Sequence, residues 1–576
     1  MWLINCSNYS LEPNDIEGPD AKPYCILSHT WGDQEVTFVE IKDSLEIASR
    51  KKGFDKIRGI CQIALELGYN YVWVDTCCID KSSSAELTES INSMFYWYSK
   101  AERCIAYLCD LAPAALGSYH PTREELGRCR WFTRGWTLQE LLAPAIVVFY
   151  DKAWNPRGTK ADLCDFICDI TDIDQDTLNW PGKLPSIPVA RKMAWAANRE
   201  STRIEDKAYC LLGLFGIAMP LIYGERNRAF IRLQEMIAQK TNDMSLFAWR
   251  DVQNHGSRGQ YSGLFAKDPS WFAECTTISR VYDPVIPNPS WIMTNGGMEI
   301  TTALDWSDIS LGYRLYLHCT YAGVDMTDQD EADPLVLSIW LRKTSSGYVR
   351  YKPNEVCLQA QSKIKFGHSS LIRVASSLTP RELSDVVRYY HPQSHLLNSA
   401  ISFSWNVDSI EIQCAQNYHP QHLWDHQQRC FFTSSHSRFI GLVKLQISNA
   451  WGNPIWKPTC WILCGLMTPT NAELSEWAQT EPGLRPWVMV IKQNDDGSLG
   501  GLEGHTSGDL LDPFTLSTVG HRLRARFESE PPTSGDCVIR YGADRCLEVS
   551  ASILSASEQL HRGRTIEVKI TKSTIS

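Results

Sequence analysis

The 576-residue sequence lacks the excess of basic residues that proteins binding DNA or RNA usually carry. Lysine and arginine total 56 against 66 aspartates and glutamates, so the formal net charge is −10, and no basic run is long enough to form a binding arm. Because affinity for nucleic acid depends on neutralising phosphates, this balance predicts that no nucleic acid is a partner. Hydrophobic residues make up 43% of the chain, which excludes a disordered protein.

Several short motifs that would assign chemistry are also missing. None of the 20 cysteines stands in a C-x-x-C motif, so we expect neither a zinc ribbon nor a thioredoxin-like redox site, and we predict no metal site. No G-x-x-x-x-G-K-[ST] loop occurs, so ATP-driven oligomerisation is not supported. Residues 1–6 have neither a basic n-region nor an apolar h-region. Without a secretory signal, and with reduced thiols, a cytoplasmic location is expected.

The sequence has no hydrophobic run that suits a membrane-spanning helix. Residues 208–224 form a stretch of 17 residues without a charge, interrupted by Gly213, Gly216 and Pro220. A spanning helix needs about 20 apolar residues, and proline and glycine disfavour a continuous helix. We therefore predict a buried core helix that ends near Gly216, and no membrane span.

The first 155 residues alternate between the periodicities of strand and helix. Gly68 ends the first clear amphipathic stretch, and Ser83 with Glu86 has capping-box spacing at the start of the second. This alternation predicts a parallel sheet with helices on both sides, an α/β fold with a flavodoxin-like strand order. The predicted strands are residues 25–29, 71–75, 103–108 and 145–150, and the two clearest helices are residues 54–67 and 85–100.

Two further regions follow this α/β region. Residues 156–250 are predicted to form a helical extension packed on it, with Thr202 and Glu205 as another capping box. Residues 251–576 are predicted to form one or more β-rich domains, because short alternating runs separated by glycine and proline dominate there. The clearest of these runs are residues 315–318, 335–340, 441–445, 487–491 and 537–540.

Polar residues follow the first two predicted strands. His29, Trp31 and Gly32 come after the first strand, and Asp75 and Asp80 come after the second. In an open parallel sheet, ligands bind beyond the carboxyl ends of the strands, so these residues predict a polar site along one edge. For each residue alone, the alternative is a local role in ending a strand or capping a helix.

A second candidate pair lies between the third and fourth predicted strands. Trp136 and Glu140 are four residues apart in a predicted helical segment and therefore share one face. A carboxylate beside an aromatic wall is partly desolvated, which raises its pKa and suits an acid, a base or a group that stabilises a cation. The alternative is a tryptophan in the core and a glutamate on a solvated face.

Three spaced motifs make the sequence recognisable. They are CILSHTWG at residues 25–32, YVWVDTCCID at 71–80 and RGWTLQELLAP at 134–144. In this order they resemble the fungal heterokaryon-incompatibility (HET) domain family, over roughly the first 150 residues. Similar members continue with segments like residues 201–225 and the SLFAW motif at 245–249, whereas the β-rich half has a much weaker resemblance.

The resemblance implies a cytoplasmic effector of self/non-self recognition that induces programmed cell death when genetically unlike hyphae fuse. The family is distantly similar to TIR domains, which share the flavodoxin-like fold. Many TIR domains cleave the nicotinamide glycosidic bond of NAD⁺ with a helix-borne glutamate in a W-x-x-x-E-L setting. Trp136, Glu140 and Leu141 match that pattern in the corresponding helix.

The implied enzyme is an NAD⁺ glycohydrolase in which Glu140 stabilises an oxocarbenium-like ribose. Trp31 or Trp136 would stack on a flat ring, and the fork of Arg134 would meet a phosphate. The other groups expected to contact NAD⁺ or a related nucleotide are His29, Gly32, Asp75 and Asp80. No cofactor is required, because NAD⁺ is the substrate. The alternative is a non-enzymatic module that signals through self-association or a protein partner, regulated by a β-rich sensor domain.

Overall fold

The structure is a computed structural model that describes most of the chain. The described residues are 1–114, 119–252, 260–281, 289–307, 310, 312–322, 335–364, 369–390, 400–406, 411–420, 423–425, 427–433, 439–448, 457–467, 485–493, 499, 532, 534–541, 545–554 and 564–574. Over these ranges, no helix combines the length and the apolar character needed to cross a membrane.

The N-terminal region is built on a seven-stranded sheet over residues 2–159, in the order β2-β1-β4-β3-β5-β6-β7. The four central strands, β4-β3-β5-β6, are parallel, and the outer strands add antiparallel edges. The strands are β1 (Trp2–Asn5), β2 (Leu11–Pro13), β3 (Cys25–His29), β4 (Tyr71–Trp73), β5 (Arg103–Tyr107), β6 (Val147–Tyr150) and β7 (Pro156–Thr159). The predicted parallel sheet is therefore confirmed, whereas the sequence did not predict β1, β2 and β7.

Six helices of this region connect the described strands. They are α1 (Phe38–Asp43), α2 (Leu45–Ser49), α3 (Phe54–Glu66), α4 (Ser84–Lys100), α5 (Arg123–Gly127) and α6 (Thr137–Leu142), with a 3-10 turn at Arg130–Thr133. Helix α3 ends where expected because Gly68 adopts a φ of +86°, which favours glycine. Helix α6 packs against β3 and α4, which brings residues 137–142 to the end of the central strands.

The predicted capping boxes need correction at both positions. The Ser83 hydroxyl accepts a hydrogen bond from the Glu86 amide, but the Glu86 carboxylate accepts from the Asp80 amide, so only half of the box forms. The Thr202 prediction is wrong, because the helix begins after Glu205 and the Glu205 carboxylate accepts from the amides of Gly224 and Arg226. In both cases a carboxylate satisfies amides outside its own helix.

The next region is mostly helical. Its helices are α7 (Cys164–Thr171), α8 (Gln175–Asn179), α9 (Val189–Ala197), α10 (Asp206–Tyr209), α11 (Leu212–Phe215) and α12 (Arg228–Lys240), with 3-10 segments at Pro181–Ser186 and Met244–Phe247. The uncharged stretch forms two short helices, not one, and α11 ends at Gly216 with a φ of +60°. The predicted end at Gly216 is confirmed, and both helices bury side chains, Ala208 and Tyr209 on α10 and Leu212 and Leu214 on α11.

The rest of the described chain is rich in β-structure, as predicted. A nine-stranded sheet has the order β10-β11-β18-β16-β15-β13-β12 with β17 and β8 paired to β15 and β16, and β14 pairs with β9. The strands are β8 (Tyr261–Ser262), β9 (Ile278–Arg280), β10 (Trp291–Thr294), β11 (Gly297–Thr302), β12 (Asp305–Ser307), β13 (Gly312–Tyr316), β14 (Cys319–Tyr321), β15 (Leu335–Thr344), β16 (Gly347–Tyr351), β17 (Cys357–Ala360) and β18 (Ser370–Val374). This part also holds 3-10 segments at Pro269–Cys275 and Gln361–Lys363 and helix α13 (Pro380–Tyr390).

Two more sheets follow, and they share one hydrophobic core. The orders are β21-β22-β19-β28-β27-β26 and β20-β23-β24-β25. Inward residues alternate along their strands, as Ile566, Val568 and Ile570 do, so two sheet faces meet in one cluster. The strands are β19 (Ala400–Asn406), β20 (Glu411–His419), β21 (Trp424–Asp425), β22 (Cys430–Phe432), β23 (Phe439–Ser448), β24 (Thr459–Met467), β25 (Arg485–Lys492), β26 (Ser534–Tyr541), β27 (Arg545–Ile553) and β28 (Arg564–Thr574).

The main hydrophobic core is continuous from the N-terminal sheet into the nine-stranded sheet. It contains buried residues from Leu3 to Val374, whereas the last two sheets have a separate core. Arg350 on β16 is fully buried, and its guanidinium lies 3.5 Å from the centre of the Trp249 ring. It also donates to the carbonyls of Phe247 and Trp249, so the SLFAW motif is bound directly to the β-rich part.

Candidate functional site

The ends of β3 and β4 bring His29 and Asp75 together. These strands are parallel neighbours, with Cys25 opposite Val72 in the register, so the residues that follow them meet at one edge of the sheet. His29 Nε2 lies 3.0 Å from Asp75 Oδ1, and Trp31 Nε1 donates to Asp75 Oδ2 at 2.8 Å. The predicted convergence of residues 29, 31 and 75 is therefore observed, because the Asp75 carboxylate accepts hydrogen bonds from the imidazole of His29 and the indole of Trp31.

The hydrogen bonds of His29 define which ring nitrogen carries the proton. Lys56 Nζ lies 3.0 Å from His29 Nδ1 and can only donate, so Nδ1 must accept. The ring proton then lies on Nε2, where it is donated to Asp75. The other protons of the Lys56 ammonium go to the Thr30 carbonyl and the Glu35 carboxylate. All three donors of Lys56 are thus used to fix this side of the site.

The acid–base state of Asp75 follows from the same contacts. Burial acts to raise the pKa of its carboxyl group, but the hydrogen bond from His29, the charge of Lys81 and the hydrogen bond from Trp31 outweigh it and lower the pKa. Asp75 is therefore a permanent carboxylate at neutral pH. It can orient His29 and Trp31, and it places a negative charge next to Glu140.

Glu140 lies beneath this edge, on α6. Its side chain is buried, with 6% of the residue exposed, and it accepts a short hydrogen bond from the Ser28 hydroxyl. Ser28 in turn accepts from Trp131 Nε1 at 2.7 Å, so the serine links the indole to the carboxyl group. The Tyr98 hydroxyl, which donates to the Leu27 carbonyl, lies close enough to Glu140 to influence its pKa. Glu140 therefore faces the interior of the site, not the solvated outer side of the helix.

The environment of Glu140 favours its neutral form. Burial raises its pKa to about 8, and the negative charge of Asp75 acts in the same direction. The hydrogen bond from Ser28, the charge of Arg134 and the nearby Tyr98 hydroxyl oppose this effect without cancelling it. A carboxyl group with such a pKa is partly protonated at neutral pH and can serve as an acid, a base or a cation stabiliser.

Trp31 forms the exposed border of the site. Its ring is 40% exposed, although its indole nitrogen is bound to Asp75. The Lys81 ammonium lies over the ring at 4.0 Å from its centre, and the Arg134 guanidinium lies at 5.4 Å. Both cations are therefore held near an accessible aromatic surface by cation–π attraction.

The backbone that carries Arg134 and Glu140 is anchored by a buried arginine. Arg199 donates from Nη1 to the Arg134 carbonyl at 3.0 Å and to the Thr137 hydroxyl at 3.1 Å. Burial lowers the pKa of Arg199 to about 10, which still leaves it charged at neutral pH. Lys160, also buried, donates to the carbonyls of Leu141 and Pro144 at the other end of α6. Buried cations thus satisfy backbone carbonyls at both ends of α6, which fixes the position of this short helix.

Three of the predicted site residues make other contacts. The Gly32 amide donates to Glu35, and the Asp80 carboxylate accepts from the amide and hydroxyl of Ser82, which forms the turn before α4. Trp136 hydrogen-bonds to Asp206 in the helical extension, although it lies one turn from Glu140. The structure therefore gives Asp80 and Trp136 contacts away from the pair formed by His29 and Asp75.

Several residues of the site were not predicted from the sequence. Ser28 had a weak signal, because it is a polar residue that directly precedes His29 in a strand that begins with three apolar residues. The others had none, because their positions depend on how helices pack against the sheet. These are Glu35, Lys56, Lys81, Tyr98, Trp131 and Arg199. Within the described ranges, no group of three or more histidine, cysteine, aspartate or glutamate residues is arranged to hold a metal ion.

Comparison with known proteins gives two family matches. The sequence model of the heterokaryon incompatibility protein (HET) family matches residues 24–116, which include β3, β4 and β5. The chain carries a HET domain. This confirms the resemblance carried by the motifs at residues 25–32 and 71–80, whereas the third motif, with Glu140, lies beyond the matched residues. A domain of unknown function (DUF8212) matches residues 228–280, which cover α12 and the SLFAW motif.

A curated relative supports the same assignment. The chain is 42% identical over 297 residues to the vegetative incompatibility protein HET-E-1 of Podospora anserina. The alignment covers 50% of this chain and 22% of the relative, so the chain matches less than a quarter of that protein's length. No solved structure matches the chain.

Proposed function

We propose that the chain is a heterokaryon-incompatibility-type effector that acts in the cytoplasm and induces cell death by cleaving the glycosidic bond of NAD⁺. The HET domain and the similarity to HET-E-1 support the first part of this proposal. The burial and the raised pKa of Glu140 support the second part, and they are the observation on which the enzymatic proposal rests.

The topology of the sheet supports a flavodoxin-like, TIR-like fold. In chain order, the four parallel strands are arranged second, first, third and fourth across the sheet. Flavodoxin-like sheets begin with the same order and bind ligands where the order reverses, between the first and third strands. Here that position lies between β3 and β5, and β3 carries Ser28 and His29.

The proposed reaction needs one well-placed carboxylate. As the bond between the ribose and nicotinamide breaks, positive charge develops on the ribose, nicotinamide leaves with the bonding electrons, and water adds to the ribose with loss of a proton. Ionised Glu140 would stabilise that positive charge. Although its pKa is about 8 in the free protein, the cationic nicotinamide ring of bound NAD⁺ would favour the ionised form.

The surrounding residues would position the substrate. We propose Trp31 as the stacking surface, since it is the exposed aromatic residue at the border, whereas Trp136 is bound to Asp206. Arg134 would meet a phosphate. The hydrogen-bonded group of Asp75, His29 and Lys56 would keep the edge of the site rigid.

Release of nicotinamide from NAD⁺ by the purified chain tests this proposal. The wild type and Glu140→Gln are compared by chromatography at equal protein concentration, with circular dichroism to confirm folding. Glu124→Gln is the matched control, because Glu124 is an exposed glutamate of α5 in the same domain. We expect Glu140→Gln to lower turnover at least 100-fold, the usual effect of losing an electrostatic catalytic group. Equal turnover in all three proteins would remove Glu140 from the mechanism.

The second candidate is a non-enzymatic signalling module. The observation that favours it is that the Glu140 carboxyl group is buried and accepts a hydrogen bond from Ser28, as expected for a structural role in the core. In this case cell death upon expression would persist in a folded Glu140→Gln variant, whereas variants that block self-association or binding of a protein partner would abolish it.

We further propose a division of labour along the chain. Residues 1–155 would be the effector, residues 156–250 a helical extension packed on it, and residues 251–576 the β-rich sensor. The direct contacts of Arg350 with Phe247 and Trp249 support communication between the last two parts. Because one hydrophobic core runs through all three up to Val374, a conformational change in the sensor would reach the effector.

A further inference from the structure

Two positive charges converge at the exposed border of the site. Lys81, which follows β4, and Arg134, which precedes α6, both lie over the Trp31 ring, at 4.0 and 5.4 Å from its centre. The Trp31 ring is positioned by the hydrogen bond that its Nε1 donates to Asp75, at 2.8 Å. The two cations thus share a fixed aromatic surface.

Neither cation makes a salt bridge or a side-chain hydrogen bond with another described residue. Their neighbours differ in this respect, because Lys56 uses three acceptors and Arg199 donates to three oxygen atoms. Contact with an indole ring offsets only part of the repulsion between two cations. The Asp75 carboxylate attracts Lys81, and the charge of Arg134 acts on Glu140, without a salt bridge in either case. An anion placed between the two cations would form charge-assisted hydrogen bonds with both.

We infer that Lys81 and Arg134 form a subsite for the diphosphate group of a nucleotide, with Trp31 as its aromatic border. This inference deepens the proposed function, on which its biological meaning rests. Two cations match the two negative charges of a diphosphate ester, and an exposed indole can contact an adjoining ring. The charge of Arg134 also acts to lower the pKa of Glu140, so the proposed subsite and the proposed catalytic carboxyl group share a charged neighbour.

The roles of the two cations differ. Arg134 is anchored through its backbone to Arg199 and to Glu200, so its position is fixed by the fold. Lys81 is exposed, lies over the ring and is attracted by the Asp75 carboxylate without a salt bridge. Lys81 can therefore be changed with little effect on folding, which makes it the better residue for a binding test.

Isothermal titration calorimetry on the full chain tests the subsite without requiring turnover. The ligands are ADP-ribose, inorganic pyrophosphate and adenosine. The variants are Lys81→Gln, Lys81→Arg and the control Lys52→Gln, which removes an exposed lysine elsewhere in the HET domain. We expect ADP-ribose to bind the wild type, Lys81→Gln to weaken it about tenfold, and Lys81→Arg and Lys52→Gln to change it less than threefold.

Each outcome decides the inference. If the binding of both pyrophosphate and ADP-ribose depends on Lys81, the diphosphate subsite is supported and the free anion is sufficient as a ligand. If only the binding of ADP-ribose depends on Lys81, a subsite for the diphosphate group of a nucleotide is supported. Adenosine binding as tightly as ADP-ribose, an unchanged affinity in Lys81→Gln, or no binding to the wild type overturns it. If ADP-ribose binding depends on Lys81 while Glu140→Gln leaves NAD⁺ cleavage unchanged or no cleavage occurs, the subsite stands and the proposed reaction fails.

Discussion

The Ser28 hydroxyl donates a hydrogen bond to the Glu140 carboxyl group, and the two residues are 112 positions apart in the chain. Ser28 lies on a central strand and Glu140 on the short helix that packs against it. Of the two partners of the Ser28 hydroxyl, Trp131 Nε1 can only donate. The single hydroxyl proton is therefore donated to Glu140. One strand residue thus joins the sheet, the preceding 3-10 turn and the carboxyl group on which the proposed function depends.

The raised pKa of Glu140 predicts how stability depends on pH. The pKa is about 8 in the folded chain, against about 4.3 for an unfolded glutamate, so the folded state binds one more proton between these values. The contribution of Glu140 to the free energy of unfolding is therefore fully present below about pH 4. Between the two pKa values it falls by about 1.4 kcal/mol per pH unit. Glu140→Gln, which stays neutral, should gain stability relative to the wild type between pH 5 and 8.

Urea unfolding followed by fluorescence, at several pH values, measures this difference. The control is Glu124→Gln, because Glu124 is exposed on α5 and its loss should leave the pH dependence unchanged. A difference between Glu140→Gln and the wild type that stays constant from pH 5 to 8 would contradict a raised pKa of Glu140.

The hydrogen bond from Ser28 predicts a shift in the pH dependence of activity. Ser28→Ala removes a donor that favours the Glu140 carboxylate, so the pKa of Glu140 should rise further and NAD⁺ cleavage should need a higher pH. The variant should also be destabilised by about 1–3 kcal/mol, because the buried Trp131 Nε1 loses its acceptor. The measurements are kcat/KM against pH and urea unfolding.

Ser28→Thr provides the matched control for the previous variant, because it keeps the hydroxyl group on a strand that tolerates β-branched residues. It should restore the wild-type pH profile. A pH profile that is the same in Ser28→Ala and the wild type would show that Ser28 does not act on the ionisation of Glu140.

The contact between Lys56 and His29 predicts a defined tautomer. In the wild type, His29 should carry its proton on Nε2, because Nδ1 accepts from the Lys56 ammonium. In Lys56→Met, Nδ1 loses this donor, so its nitrogen chemical shift should move towards that of an imidazole nitrogen without a hydrogen bond. Nitrogen NMR of labelled histidine distinguishes these states, and Lys52→Met is the control. A proton on Nδ1 in the wild type would contradict the assignment.

The sequence predicted the elements of the N-terminal sheet better than the contacts between them. The strand at residues 25–29 and helix α4 follow from apolar periodicity, and the meeting of His29 and Asp75 follows from two parallel neighbouring strands. Lys56 could not be predicted, because its contact with His29 depends on how α3 lies against the sheet edge. The contacts of Glu205 could not be predicted either, because its carboxylate accepts hydrogen bonds from the amides of Gly224 and Arg226, which are distant in the sequence.

The close packing of α11 on α4 predicts that Gly213 tolerates no side chain. A Cβ atom at Gly213 would lie 2.0 Å from Phe95 Cβ, so Gly213→Ala must push α11 away from α4. Overpacking of this kind should destabilise the chain by about 1–3 kcal/mol. Gly182→Ala is the matched control, because no atom lies within 4 Å of its added Cβ. Urea unfolding that shows the same stability for both variants would argue against this helix contact.

Arg350 is predicted to be essential for the attachment of the β-rich part to the SLFAW motif. Arg350→Met keeps an apolar side chain on β16 but leaves the buried carbonyls of Phe247 and Trp249 without their donor. We expect a loss of about 2–4 kcal/mol in the free energy of unfolding, because two buried acceptors lose charge-assisted bonds. Limited proteolysis should also become faster between residues 240 and 260, where the two parts join.

The control for this variant is Arg373→Met. Arg373 lies on β18 in the same sheet, but its ion pair with Glu299 is exposed and should contribute less than about 1 kcal/mol. If Arg350→Met unfolds like Arg373→Met and is cleaved no faster than the wild type, the guanidinium is not what joins the two parts. The shared hydrophobic core around Trp249 would then be the contact that connects the β-rich region to the HET domain.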